Sequence, residues 1–189
     1  MGNRFTFLLG GARSGKSALA QSLALRWGEV VCVVATAEAI DDEMSARILR
    51  HRVDRPATWT TVEEPVEVSL AASRAGDIPL VIDCMTVWLG NVMHHGWDDG
   101  KIFREVSDLG ALLSARSAPT IVVSNEVGMG VHPQTVLGRH YCDLLGRINA
   151  SLAARASDAY LLVAGRLLRL EDPGVALSDP TLTGAQDGT

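Results

Sequence analysis

Two short stretches of this 189-residue chain carry residue types that could do chemistry on a phosphate. The first is Gly10-Gly11-Ala12-Arg13-Ser14-Gly15-Lys16-Ser17, which fits the phosphate-loop pattern G-x-x-x-x-G-K-[ST]. Its glycines let backbone N–H groups turn inward around phosphate oxygens. Lys16 would reach the terminal phosphates of a nucleoside triphosphate, and the Ser17 hydroxyl would ligate Mg²⁺. The second is Arg47-Ile48-Leu49-Arg50-His51-Arg52-Val53-Asp54-Arg55-Pro56, with four arginines around a single histidine. An imidazole can act as a nucleophile toward phosphorus. Guanidinium groups suit bidentate recognition of phosphate. A third residue, Asp83, ends an apolar run and is the candidate acid to hold Mg²⁺ with Ser17.

These groups need a scaffold, and the hydrophobic pattern supplies one. Short runs of apolar and β-branched residues at Phe5–Leu9, Val30–Val34, Trp59–Val62, Pro79–Asp83 and Thr120–Ser124 read as buried strands. Tyr160–Val163 and Leu167–Leu170 read as a final hairpin. Helical patterns fall between them. Lys16–Trp27, with Leu19, Leu23 and Trp27 four apart, stops at Gly28. Asp41-Asp42-Glu43 opens a helix that closes with Arg50 and Arg52, charges that complement its dipole. In that helix Met44, Ile48 and Leu49 are expected to pack. Glu64–Arg74 is expected to be helical with Pro65 in its first turn, residues 85–117 to form two helices about a polar turn at Trp97–Gly100, and Pro133–Ser157 a long helix. This alternation predicts an α/β fold of the P-loop NTPase kind, a mainly parallel sheet with helices on both faces. Residues 1–171 read as one nucleotide-binding catalytic domain. Residues 172–189, rich in Pro, Gly, Ser, Thr and Asp, read as a C-terminal tail.

Composition narrows the classes. A net charge of -5 argues against a general nucleic-acid surface. No apolar run approaches the ~20 residues of a membrane span, and no signal peptide is visible. Three scattered cysteines suit a reduced cytoplasmic setting. A guanine-reading Asn-Lys-x-Asp is absent, and Asp143-Leu144-Leu145-Gly146 lies inside a helical stretch, so a GTPase switch is disfavoured. From these residues alone, a single-activity small-molecule kinase and a nucleotide-binding regulatory module both stay open.

The order of several motifs is more specific. The phosphate loop is followed by Ala35-Thr36-Ala37, Asp41-Asp42-Glu43-Met44, Arg47-Ile48, His51-Arg52 and Arg55-Pro56. Trp59, Thr61 and Glu63 come next, then Asp83-Cys84-Met85-Thr86 with Trp88-Leu89 and Asn91, then Asn125-Glu126-Val127-Gly128-Met129-Gly130. Together these resemble the bifunctional adenosylcobinamide kinase / adenosylcobinamide-phosphate guanylyltransferases of cobalamin biosynthesis. The resemblance implies two reactions. A nucleoside triphosphate, ATP or GTP, phosphorylates the aminopropanol hydroxyl of adenosylcobinamide. GTP then donates GMP to that phosphate through a guanylylated histidine, which corresponds to His51. It implies nucleotide contacts at Ala35, Thr36 and Ala37, at Arg52, Val53, Asp54 and Arg55, and at Glu63 and Asp83. It also implies a homotrimer. Cys142 and Ala150 depart from the family pattern, where arginine and glutamine are usual. Asn125 and Glu126 fall at the ligand edge of the sheet, outside the catalytic set.

Overall fold

The computed structural model describes residues 5–39 and 42–176. Seven strands form one sheet: β1 (Thr6–Gly10), β2 (Cys32–Ala35), β3 (Thr60–Glu63), β4 (Leu80–Asp83), β5 (Thr120–Val123), β6 (Asp158–Val163) and β7 (Arg166–Leu170). Their order is β3-β2-β4-β5-β1-β6-β7. Every pairing is parallel except the β6–β7 hairpin. The helices are α1 (Lys16–Ala24), α2 (Asp42–Val53), α3 (Val68–Arg74), α4 (Met85–His94), α5 (Asp99–Ala115), α6 (Val136–Ala153) and the short α7 (Pro173–Ala176).

The period-2 geometry of the strands splits the core in two. Phe7, Leu9, Val34, Leu80 and Ile82 face one side, where Trp88, Leu109, Leu113, Leu145 and Ile148 of the helices cover them. Leu8, Val33, Val81, Ile121 and Val123 face the other side and meet Ala20 and Ala24 of α1. Small residues let α1 approach the sheet closely, and Leu19, Leu23 and Trp27 pack beside them. Gly28 ends this segment at φ 122°, after a single 3₁₀ turn at Leu25–Trp27.

Three sequence expectations need correction. The Glu64–Arg74 helix begins only at Val68. Glu64 Oε1 accepts from the N–H of Val66 and of Glu67, which holds residues 64–67 in a turn. Asn91 and Trp88 then tie that turn down by donating to the carbonyls of Pro65 and Val66. The long helix runs from Val136, capped by Thr135, to Ala153, so it is shorter at both ends than its pattern implied. Leu49 does not pack: it is 62% exposed, rotated about 100° from Ile48 on the outer side of α2. The start of α2 at Asp41 and the tail from residue 177 lie outside the described residues. Of the proposed tail, residues 173–176 form the single turn α7.

Candidate active site

The candidate site lies at the C-terminal edge of the parallel strands, where a doubly wound sheet opens to a ligand. β1 runs into the phosphate loop, and α1 starts at Lys16. Gly10 must be glycine here: a Cβ would lie 2.5 Å from the Leu162 carbonyl oxygen of β6. Gly15 adopts φ 100° as the residue preceding α1, and Arg13 also takes a left-handed φ of 57°. Lys16 is almost fully buried and folds back over the loop. Its Nζ donates to the carbonyls of Gly10 (2.8 Å) and Gly11 (2.6 Å) and to Ser14 Oγ (3.3 Å). The ammonium thus sits at the mouth of the loop, where the α1 N-terminus also favours an anion.

Asp83 links this loop to the histidine. Ser17 Oγ donates to Asp83 Oδ1 at 3.2 Å, and His51 Nδ1 lies 4.0 Å from Asp83 Oδ2. Two recesses open on either side of that pair. One is a trough lined by Ala12, Arg13, Ser14, Gly15, Lys16 and Ser17, closed by Arg50, His51, Asp54, Asp83, Val123 and Asn125. The other is a pocket between α2 and the ends of β2 and β3, lined by Ala35, Ala37, Met44, Ile48, Arg55 and Glu63 among others. His51, Asp83 and Cys84 belong to both walls. An imidazole one-third exposed therefore stands between the trough over the phosphate loop and a mostly apolar pocket with charged edges.

The charges at the pocket edge differ in kind. Arg52 and Glu63 pair at 3.7 Å, both more than half exposed, so their attraction is well screened. Arg55 is more enclosed. Its Nη1 donates to Thr61 Oγ1 at 3.3 Å, while its Nε is buried with no hydrogen-bond partner among the described residues. Burial lowers the Arg55 pKa from the usual guanidinium value, and the carboxylates of Asp83 and Glu63 oppose that shift. The guanidinium is thus partly desolvated at the pocket wall, where a charged donor interacts strongly with an anion.

Most of the residues singled out in the sequence converge here, but not all. Gly10 and Gly11 contribute carbonyls to Lys16 rather than lining the trough. The Thr36 side chain is fully buried, and its hydroxyl donates to the Cys84 carbonyl (2.7 Å) and accepts from the Cys84 N–H (2.8 Å). Thr36 therefore holds the chain at the ends of β2 and β4, next to a cis Asp83–Cys84 peptide, while Ala35 and Ala37 face the pocket. Val53 is 73% exposed and lines neither recess. Arg50, read from sequence only as a charge closing α2, joins the trough. Arg50 and Asp54 stand four apart, so one helix face carries both, and that spacing was the signal for it. Met44 and Ile48, expected to pack, form pocket wall, and Asn125 also reaches the trough.

Sheet order, loop and acid together define a P-loop nucleotide-binding protein. Solved structures with this fold include a Pyrococcus horikoshii protein (TM-score 0.53, 9% identity, covering 88% of this chain and 85% of that one). Another is an ATPase from the type III secretion system of pathogenic bacteria (TM-score 0.51, 13% identity), where the match covers 85% of this chain and 52% of the ATPase. At such identities the likeness concerns fold alone. Sequence similarity is closer. The profile described as CobU, cobinamide kinase / cobinamide phosphate guanyltransferase, matches residues 6–170. The bifunctional adenosylcobalamin biosynthesis protein CobP of Pseudomonas aeruginosa is 41% identical over 162 residues, 84% of this chain and 92% of that protein. The bifunctional adenosylcobalamin biosynthesis protein CobU of Salmonella typhimurium is 36% identical over 170 residues, 82% of this chain and 93% of that protein. The chain belongs to the cobinamide kinase / cobinamide phosphate guanyltransferase family.

Proposed function

We propose that this chain carries both activities of its family: phosphorylation of adenosylcobinamide by ATP or GTP, then transfer of GMP from GTP to adenosylcobinamide phosphate through His51. The observation that carries the reading is the position of His51 on the wall shared by the phosphate trough and the pocket beside β2 and β3. A nucleotide with its base and ribose in that pocket and its outer phosphates in the trough would have its α-phosphorus at the imidazole.

In the guanylyl step, His51 Nδ1 faces Asp83, which leaves Nε2 as the nucleophile. Nε2 bonds to the α-phosphorus, and pyrophosphate leaves with the electron pair of the broken P–O bond. Lys16 and the loop N–H groups stabilise that departing charge. A phosphate oxygen of the acceptor then attacks the same phosphorus, releasing His51 and forming adenosylcobinamide-GDP. Arg55 and Arg52 hold the α-phosphate and nucleoside side, with Glu63 accepting from the base or ribose. Ala35, Ala37, Met44 and Ile48 supply apolar wall.

The Ser17 hydroxyl and Asp83 carboxylate, 3.2 Å apart at the loop, are hard oxygen donors of the type Mg²⁺ takes. Bound there, Mg²⁺ would neutralise phosphate charge. No helix in the described residues is long and apolar enough to cross a membrane. We place the enzyme in the cytoplasm as a homotrimer, which sedimentation of the full chain tests. Incubation with γ-labelled ATP or GTP and adenosylcobinamide, followed by unlabelled GTP, should give first a labelled corrinoid phosphate and then the GDP derivative. Nucleotide binding with no corrinoid-dependent turnover would refute the reading.

A further inference from the structure

β5 lies between β4, which ends at Asp83, and β1, which leads into the phosphate loop. The residues just past β5 therefore emerge beside the loop. Ser124 and Glu126 continue the ladder toward β1, donating to the carbonyls of Leu8 (2.9 Å) and Gly10 (3.0 Å). In a parallel strand alternate residues bond to opposite neighbours. The N–H and C=O of Asn125 thus point toward β4, whose chain has already turned away into α4. Two side chains from other helices take the vacant ladder positions. Thr86 Oγ1 accepts from the Asn125 N–H at 2.6 Å, and Asn149 Nδ2 donates to the Asn125 carbonyl at 3.0 Å.

Those two are themselves fixed. Asn149, 4% exposed on α6, accepts from the fully buried Ser124 hydroxyl at 2.7 Å. Tyr141 donates its phenol to the Thr86 carbonyl at 2.8 Å. Burial raises the Tyr141 pKa, which keeps that group a donor. A buried, satisfied network of this kind fixes one geometry. The element it fixes is the main chain of Asn125. Its side-chain carboxamide, by contrast, has no hydrogen-bond partner among the described residues, and Asn125 lines the phosphate trough.

We propose that Asn125 is a catalytic residue of the phosphoryl-transfer step alone, its carboxamide N–H donating to the phosphoryl group in transfer, with Asn149, Ser124, Thr86 and Tyr141 as positioning residues. This rests on the two-activity reading above. In that step the acceptor hydroxyl oxygen bonds to the terminal phosphorus. The bond from that phosphorus to the bridging oxygen breaks, the nucleoside diphosphate leaves with the electron pair, and the hydroxyl proton passes to water. Charge moves over the equatorial oxygens of the transferred group, where a fixed donor stabilises it. Guanylyl transfer reacts instead at the α-phosphorus, beside His51 of α2, which faces Asp83 at the end of β4, one strand away. Asn125 then faces only the outer phosphates of the leaving pyrophosphate, which the loop and Lys16 already hold.

The test is Asn125→Ala in the full-length protein, with two rates measured side by side. One is phosphate transfer from γ-labelled nucleotide to adenosylcobinamide, and the other is formation of guanylyl-enzyme from α-labelled GTP. Phosphoryl transfer should lose about 10²–10³-fold in kcat, the range for removing one fixed transition-state donor, with guanylylation within about threefold of the parent. Truncation here strands no protein partner, so the thermal midpoint should hold. Asn149→Ala should lower the ratio of phosphoryl transfer to guanylylation in the same direction, whereas a purely structural role would lower both rates together. Parallel loss of both rates, or no loss of phosphoryl transfer, in Asn125→Ala overturns the proposal. If the parent protein performs neither reaction, the functional reading itself fails.

Discussion

Removing the Arg55 guanidinium while keeping its bulk, as in Arg55→Met, should separate stability from activity. In the structure this group makes one side-chain hydrogen bond, to Thr61 at 3.3 Å, and buries an Nε that has no partner among the described residues. Losing an ordinary hydrogen bond costs about 1 kcal/mol, while relieving an unsatisfied buried donor returns about 1–3 kcal/mol. Removing the attraction to Asp83 and Glu63 offsets part of that gain. The net change should lie within about 1 kcal/mol of zero and lean toward stabilisation, or about 2–4 °C in Tm for a domain of this size. The functional effect should be larger. A charge-assisted hydrogen bond to phosphate contributes about 1.5–3 kcal/mol, so covalent labelling by GTP at subsaturating nucleotide should slow about 10- to 150-fold. Thermal denaturation and a labelling time course on the same preparation measure both. A Tm drop of about 6 °C or more with unchanged labelling would refute the reasoning, since Arg55 would then be a structural strut.

Two further outcomes follow from other parts of the fold. Gly10→Ala forces a Cβ to within 2.5 Å of the Leu162 carbonyl oxygen and 2.8 Å of Ser14 Oγ, so it should displace the phosphate loop and cost about 1–3 kcal/mol. Nucleotide binding by calorimetry should weaken along with Tm; normal binding would show that the loop does not depend on that contact. Asp77 accepts from the Ser117 hydroxyl and the Ala118 N–H, and these bonds lower its pKa. A depressed folded pKa gives stability that is complete above the unfolded aspartate value and is lost as pH falls through the folded one. Asp77→Asn should therefore be less stable than the parent near pH 7, with the two urea midpoints converging in acid; a constant gap would contradict this.

The strands and the phosphate loop were legible because each rests on a local pattern: an apolar run for Leu80–Asp83, glycine spacing for residues 10–17. The Glu64–Arg74 boundary was not, because the Glu64 carboxylate competes for the N–H groups that a helix would have used. The site shows the same division. That Lys16, His51 and Asp83 belong to one site was readable from residue type and order. That His51 stands between two recesses was not, because β2, β3 and β4 meet only through long-range parallel pairing. Thr36 was grouped with its neighbours Ala35 and Ala37, but strand alternation turns its side chain inward to Cys84. The tie between Asn125 and Asn149 joins residues 24 positions apart through a buried network that no motif encodes.

The central claim is that His51 accepts GMP. The most direct measurement is incubation of the full-length protein with α-labelled GTP and Mg²⁺, followed by mapping of the modified residue. The label should be acid-labile and base-stable, should sit on His51, and should vanish in His51→Ala at unchanged thermal midpoint. A label that persists in His51→Ala, or that maps to another residue, would contradict the account.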